Sequence, residues 1–544
     1  MIKDCVPAEV MDQPGTADAA AGSAETPAPS GWRGFELKLA LRPADVAGLL
    51  QHPMLAGAPV RPEILSSVCF DTPERKLRKA GSTLRIRRVG DRHIQTIGTF
   101  PADAIAPSGF GRVEWEHEVD LVQPDRSRFS GTPLQGMIAE DMAPVFETRI
   151  ERRVCRVGNG GCGVEVRIDQ GELASGERRL PICEIEIESK GGDRRSVFDI
   201  ALSLSQALPL LLALESKEKR GYDLADGRET ASGTACPIPL PAPLTVRTAL
   251  QAIGHECLRQ LAANVPALLD GSDDEALHQI RVAIRRFRAA MSLFKDILQD
   301  PESDQVKVEL QKMAALLGDA RDLEVFAEEL ARVIADNPDE RSLGELRAHL
   351  DARKDEAYRR ARYAVSSATF HGTLIRAAQW LAVGSWTSED GLRRGALAQP
   401  VVGLAAAEMT RRRKAVKRAA HDFDECDPAA LHKLRVQVKK LRYASEFFAS
   451  LFQHGKRKKA FLSSLIDIQA ALGGLNDLAV QHRILLALAR IADRPGNIGD
   501  HAGFAAGFVR GQQVRRIGQL RKTAKAACTR FLAVHPFWRE HRGP

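Results

Sequence analysis

The chain has 544 residues, 44% of them apolar, 27% charged and only 5% aromatic, with a formal net charge of +8. That length asks for two or three domains with real cores, and so few aromatics argue against a protein that stacks nucleic-acid bases. Nine scattered cysteines, odd in number and without a Cys-x-x-Cys pair, exclude a disulfide frame or a zinc site and suit a reduced cytoplasmic protein.

Residues 1–31, rich in Ala, Pro, Gly, Ser and Thr, read as a disordered leader, and no basic stretch followed by an apolar core marks a secretory signal. From 32 to 225 the pattern alternates as strands do. Phe35–Leu41, Thr83–Arg88, Val113–Val119, Ile150–Val157, Val164–Ile168 and Ile182–Ile187 stand out. With weaker candidates at 64–70 and 92–97 they give about eight strands, enough to close a small antiparallel barrel or tunnel. The most apolar run, 201–214, contains Ser, Gln and Pro and is too short to span a bilayer, so no membrane partner is expected. Residues 226–245 have Pro-x-Pro spacing and read as an extended linker. From 246 to 544 the period is helical. The expectation is an α+β chain of two domains.

Side chains two apart on a strand share a face. Glu36 with Lys38, Arg85 with Arg87, and Glu114 with Glu116 and Glu118 therefore line up, as do Glu165 with Asp169 and Glu184 with Glu186 and Glu188. Carboxylates crowded on one interior protonate unless cations neutralise them. Facing walls of acid and base suit a metal–polyanion ligand, with carboxylates holding Mg2+ or Mn2+ and Arg and Lys holding phosphoryl oxygens. The same pattern fits a solvated outer face laced with cross-strand ion pairs.

In the helical half, LHQIRVAIRRFRAAMSLF from Leu277 returns as LHKLRVQVKKLRYASEFF from Leu431, and LLGDARDLEVF from Leu316 returns as ALGGLNDLAVQ from Ala471. The recurrence divides this half at about residue 395, into repeats 246–395 and 396–544. His278, Arg281, Arg285 and Arg288 make one stripe about 15 Å long on a helix; His432, Arg435, Lys439 and Arg442 make its copy. Each stripe lies one residue after an apolar stripe, on the shoulder of a bundle, and neither interposes an acid. Residues 401–544 alone hold 27 Lys+Arg against 11 Asp+Glu. A solvated helix face is the plain reading; a polyanion site is the sharper one. Asp322 and Asp477 are expected as partners of the stripes inside the bundle, Tyr443 as packing, and the two histidines as hydrogen-bonding rather than metal-binding groups. Linear polyphosphate suits stripes without apolar readers better than nucleic acid does.

The blocks GFELKLAL, FDTPERKLRKAGSTLRIRR, HIQTIGTF, GRVEWEHEVDL, ETRIERR, VEVRIDQGEL, ICEIEIESKGG and LESKEKRGYDL resemble, in that order, a CYTH domain over residues 32–225. This is the fold of class IV adenylyl cyclases, thiamine triphosphatases and inorganic triphosphatases, the triphosphate tunnel metalloenzymes. The helical half resembles a CHAD domain, a duplicated helical module that binds inorganic polyphosphate. The resemblance implies a metal-dependent tunnel in which Glu36, Glu114, Glu116, Glu186 and Glu188 hold Mg2+ or Mn2+. Lys38, Arg85, Arg87, Arg152, Lys217 and Arg220 would hold phosphate, with Glu36, Lys38, Glu114 and Glu116 central to catalysis. The chain departs from the family pattern at Gly34, where an acid is usual, at Gly98, where a lysine is usual, and at Arg167, where a small or apolar residue is common. Two functions follow as expectations: hydrolysis of short inorganic polyphosphate such as tripolyphosphate, or a degenerate tunnel in a polyphosphate-binding protein of the cytoplasm or its polyphosphate granules.

Overall fold

The structure is a computed structural model. It describes residues 35–99, 113–120, 122–136, 142–158, 163–189, 193–228, 233–235, 238, 240, 243–271, 275–298, 300–387, 391–421, 423–492 and 500–538. The expected leader, Gly34 and part of the expected linker lie outside these residues.

Nine strands form one antiparallel sheet: β1 Phe35–Ala40, β2 Arg61–Asp71, β3 Ser82–Val89, β4 Arg92–Thr99, β5 Val113–Val119, β6 Ala143–Val157, β7 Val164–Ser175, β8 Arg178–Ser189 and β9 Leu211–Leu212. Their order is β5-β4-β3-β2-β6-β7-β8-β1-β9. The count is therefore nine rather than eight, because two residues of the apolar run add a short strand beside β1. The sheet is open rather than closed: β5 and β9 are its edges. It curls so far that side chains of β5 and β1 meet one cavity.

Strands β6 and β7 are longer than their alternation suggests, and Gly171 is the reason. A Cβ at that position would lie 1.9 Å from the Arg149 carbonyl oxygen. Glycine is there for close backbone approach, not to end a strand.

In β1, Phe35, Leu37 and Leu39 are buried on one face while Glu36 and Lys38 face the cavity. The apolar face packs on α3 (Arg194–Ala207), which follows the short helices α1 (Val46–Leu50) and α2 (Lys76–Lys79). Burying Leu37 and Leu39 completely is worth about 1.5–3 kcal/mol each. Helix α4 (Lys217–Ala225) docks on β6 through Gly221, where a Cβ would meet the Phe146 ring at 2.4 Å.

The helical part runs through α5 Val246–Asp270, α6 Ala276–Leu293, α7 Pro301–Leu316, α8 Gly318–Asp336, α9 Ser342–Val365, α10 Ala368–Val383, α11 Gly391–Ala398, α12 Val401–His421, α13 Pro428–Phe447, α14 Gly455–Ala492 and α15 Asp500–Ala533. The two copies of the first repeated stretch form α6 and α13. The second echo spans the break between α7 and α8 in one copy and lies within the continuous α14 in the other. One apolar cluster runs from β1 through α3 into the bundle, so the two parts share a core. Polar ties join them as well: Gln379 donates to Asp199 at 3.0 Å and Arg259 of α5 pairs with Glu215 at 3.1 Å. The described linker residues are pinned, with Leu240 N donating to Ser450 Oγ at 3.0 Å. Among the described residues no helix is long and apolar enough to cross a membrane.

Candidate functional site

A cavity of about 740 Å3 occupies the inner face of the curled sheet. Strand register explains its lining. Glu36, Glu188 and Glu165 form a row across β1, β8 and β7; Lys38, Glu186 and Arg167 form the next. A third row joins Glu184, Asp169 and Arg152. On the other wall, Arg85 of β3 lies opposite Thr96, which lies opposite Glu116, while Gly98 faces Glu114. Ten residues expected from the sequence line this one space: Glu36, Lys38, Arg85, Arg87, Glu114, Glu116, Arg152, Glu186, Glu188 and Lys217. Arg220 is outside the lining and bonds to Glu184 at 2.5 Å. Glu118 sits at the open edge, 61% exposed beside Arg92.

Acids and bases neutralise each other here. Arg152 makes a two-pronged bond to Asp169, 2.7 Å in each arm, and reaches Glu186 at 2.7 Å. Lys217 Nζ lies 2.8 Å from Asp169, 2.7 Å from Glu186, and also pairs with Glu184. Those three buried carboxylates are near enough to one another to hold a metal ion, but an ammonium group sits among them. Burial alone would raise the Glu186 carboxyl; Lys217, Lys38 and Arg152 outweigh it and hold it well below its ordinary value. Lys38 lies 2.9 Å from Glu36 and 3.0 Å from Glu186. Burial opposes its charge, yet Glu186 and Glu36 raise its pKa, so it stays an ammonium.

Arg87 is different. Arg85 spans Glu114 at 3.1 Å and Glu218 at 3.4 Å, whereas Arg87 has no carboxylate within ion-pairing distance among the described residues. The charge of Arg85, then burial, push Arg87 down to about 10. An anion in the cavity would relieve that strain. The acid rows offer oxygen donors only, which suits a hard divalent cation rather than a softer ion. Glu36 Oε1 is buried and accepts no well-aligned hydrogen bond, despite the nearby Lys38. It fits a carboxylate able to take an ion.

Parts of the blocks FDTPERKLRKAGSTLRIRR and LESKEKRGYDL serve as scaffolding for the cavity residues that the same blocks supply. Asp71 accepts from Thr72 N, Leu77 N and Arg78 N at 2.7–3.1 Å, fixing the start of α2, and from Tyr222 OH at 2.9 Å. Arg78 in turn bonds Asp223 and Asp226 at 2.7 Å. This clamp sets α4 on the sheet and so carries Lys217 into the cavity.

A second candidate lies where α6 and α13 pack together. His278, Arg281, Arg285 and Arg288 are half-buried, as are Arg435, Lys439 and Arg442, while His432 is exposed. Burial, then Arg435, Arg285 and Arg442, push Lys439 down to about 7 against the opposing pull of Asp477. The two stripes therefore converge. Among the described residues Arg285, Arg435 and Lys439 form no ion pair, and Nε of Arg281, Arg285, Arg435 and Arg442 is buried without a hydrogen-bond partner. Arg281 comes within 3.9 Å of Asp322. Burial, Arg321 and the stripe arginines hold His278 below its usual value, and His432 Nδ1 lies 3.3 Å from Asn476 Oδ1. Tyr443 is buried and stacks on Phe447.

A CYTH-domain model matches residues 35–222 and a CHAD-domain model matches residues 252–486. The chain is a CYTH domain followed by a CHAD domain. An inorganic triphosphatase of Haemophilus influenzae is 29% identical over 195 residues, 35% of this chain and 54% of that protein; the chain thus spans about half the length of that relative. The CHAD domain of the plant Ricinus communis is 28% identical, covering 55% of this chain and 96% of its own, with a TM-score of 0.47. PptA from Streptomyces chartreusis is 19% identical, covering 52% and 96%, with a TM-score of 0.39.

The sequence reading of the CYTH cavity missed several of its walls. Arg61 and Glu63 line it from the start of β2, and Glu218 from α4. His255 arrives from α5 of the CHAD part, held near neutral as burial lowers its pKa to about 4. No strand pattern could announce a helix from the other domain.

Proposed function

We propose that the CYTH cavity hydrolyses short inorganic polyphosphate, tripolyphosphate foremost, with Mg2+ or Mn2+, and that the basic stripes on α6 and α13 of the CHAD part bind longer polyphosphate. The observation that carries both is cations that have no carboxylate partner among the described residues: Arg87 in the cavity, and Arg285, Arg435 and Lys439 where α6 and α13 pack together. The matched triphosphatase supports the first half of the reading.

In the cavity, Arg85, Arg87, Arg152 and Lys217 hold phosphoryl oxygens, each charge-assisted contact contributing about 1.5–3 kcal/mol. Arg152 and Lys217 give up part of their bonding to Asp169 and Glu186 in exchange. Glu36, Glu114, Glu116 and Glu186 are the carboxylates that would hold divalent ions. A bound ion would polarise a phosphoryl oxygen and acidify a water molecule. Lys38 serves as a donor to the charge that develops on phosphoryl oxygen, not as a base, because Glu186 and Glu36 keep its proton on.

Phosphate release from tripolyphosphate tests this. The full chain should turn it over only with Mg2+ or Mn2+, and Glu36→Gln should fall to the metal-free level. Tight tripolyphosphate binding without any turnover would favour the second reading, a degenerate tunnel, for which Gly98 in place of a lysine and the mutual neutralisation of the walls speak.

The paired stripes carry a pH signature. Lys439 faces Arg435 and Arg442 on its own helix, Arg285 on α6 and Asp477 on α14. Below about pH 7 its amine is already charged; above that, polyphosphate binding must take up a proton. Retention of long-chain polyphosphate should weaken as pH rises from 6 to 9, and Lys439→Gln should flatten the dependence. An unchanged slope in that variant would remove Lys439 from the site.

A further inference from the structure

Arg167 stands in the middle of the acid rows, where Glu165, Glu186 and Glu188 surround its strand position. Its Nε bonds Glu165 Oε1 at 2.7 Å and its Nη2 pairs with Glu188. Both carboxylates are almost fully buried, with side chains 5% and 2% exposed. One guanidinium therefore bridges two buried acids, and it lines the same cavity. Glu36, across from Glu188 on β1, is left to Lys38. A hydrated divalent ion has to displace this planar, permanently charged fork at the cost of the Glu165 hydrogen bond and the Glu188 ion pair, in which Glu188 Oε2 accepts no well-aligned hydrogen bond.

We infer that Arg167 permanently holds the place of a divalent cation between Glu165 and Glu188, so that Glu188 is not an ion ligand in this chain. This rests on the CYTH cavity being a phosphate-and-metal site, and it narrows the ion-holding carboxylates to Glu36, Glu186 and the β5 acids. Glu165 and Glu188 instead keep a fixed positive charge among the acid rows, where it faces the same ligand. The charge is built in rather than recruited.

The test is binding, not turnover. Full-length protein is titrated with Mn2+ in the absence of phosphate compounds, with free ion followed by electron paramagnetic resonance. Arg167→Gln should bind one more Mn2+ per chain than the natural chain, and Arg167→Gln combined with Glu188→Gln should lose that ion again. Arg167→Lys, which keeps the charge, should gain none. Glu188→Gln alone, which does not depend on the folding of an Arg167 variant, should leave the natural Mn2+ count unchanged. The inference is overturned if Arg167→Gln titrates like the natural chain, if Arg167→Lys gains an ion too, or if Glu188→Gln loses one. These outcomes are separate from the proposed reaction, since a chain without triphosphatase activity could still gain an ion on losing Arg167.

Discussion

Reversing Arg285, Arg435 and Lys439 to Glu together should lower retention of long-chain polyphosphate by at least about 1,000-fold in a filter or calorimetric assay. The magnitude follows from three charge-assisted contacts at about 1.5–3 kcal/mol each, with about 1.4 kcal/mol to each factor of ten. Repulsion from the new carboxylates adds to it. Among the described residues these three cations have no ion pairs to lose, so the bundle should keep its stability; the apolar faces of α6 and α13 hold it through residues such as Ile284, Phe287, Leu434 and Leu441. Gln at the same positions should fall part-way. Arg359→Glu, 71% exposed on α9, should leave retention unchanged. Binding to the natural chain should also weaken steeply with salt, and the triple variant should lose that slope. Undiminished retention in the triple variant would show that the convergence of the stripes has nothing to do with polymer.

Lys217→Met should be the most damaging single change in the CYTH part. It removes the ammonium from between Asp169, Glu184 and Glu186 and leaves three buried acids to Arg152, Arg220 and Lys38. Breaking a buried ion pair from one side costs about 3–5 kcal/mol, which for a domain of this size lowers Tm by roughly 6–20 °C. The acid limb should move too. Glu184 and Glu186 have lowered pKa values in the folded chain, so their contribution is present above the ordinary carboxylate range, about 4.3, and is lost as pH falls through the lowered values. Without Lys217 those values rise, and acid unfolding should begin at higher pH. Lys217→Arg should recover much of the loss. A scan showing equal melting of Lys217→Met and the natural chain would mean that the three acids are neutralised by other means.

Much of this site was legible before any coordinates. The period of two put Glu36 with Lys38, Glu114 with Glu116, and Glu186 with Glu188 on shared faces, and the sheet keeps those faces inward because the alternate residues, such as Leu37, Ile185 and Ile187, are buried on the other side. The helical stripes were legible for the same reason at a different period. What was not legible depends on contacts distant in sequence. Arg220, one turn after Lys217 on α4, meets the same Glu184 but lies outside the cavity lining. His255 enters from another domain. Gly171 marks a close approach of two strands. The two-residue β9 pairs through a backbone that no side-chain pattern reports. The expected barrel stays open, since closure depends on how far a nine-stranded sheet coils.

The most direct measurement is a crossed titration of the full chain with two ligands, tripolyphosphate and a polymer of many phosphates. Arg87→Glu should abolish tripolyphosphate binding in the CYTH cavity and spare the polymer, whereas the triple reversal on α6 and α13 should do the opposite. If both ligands bind both variants as they bind the natural chain, neither the cavity nor the pair of stripes is a phosphate site and the account is wrong.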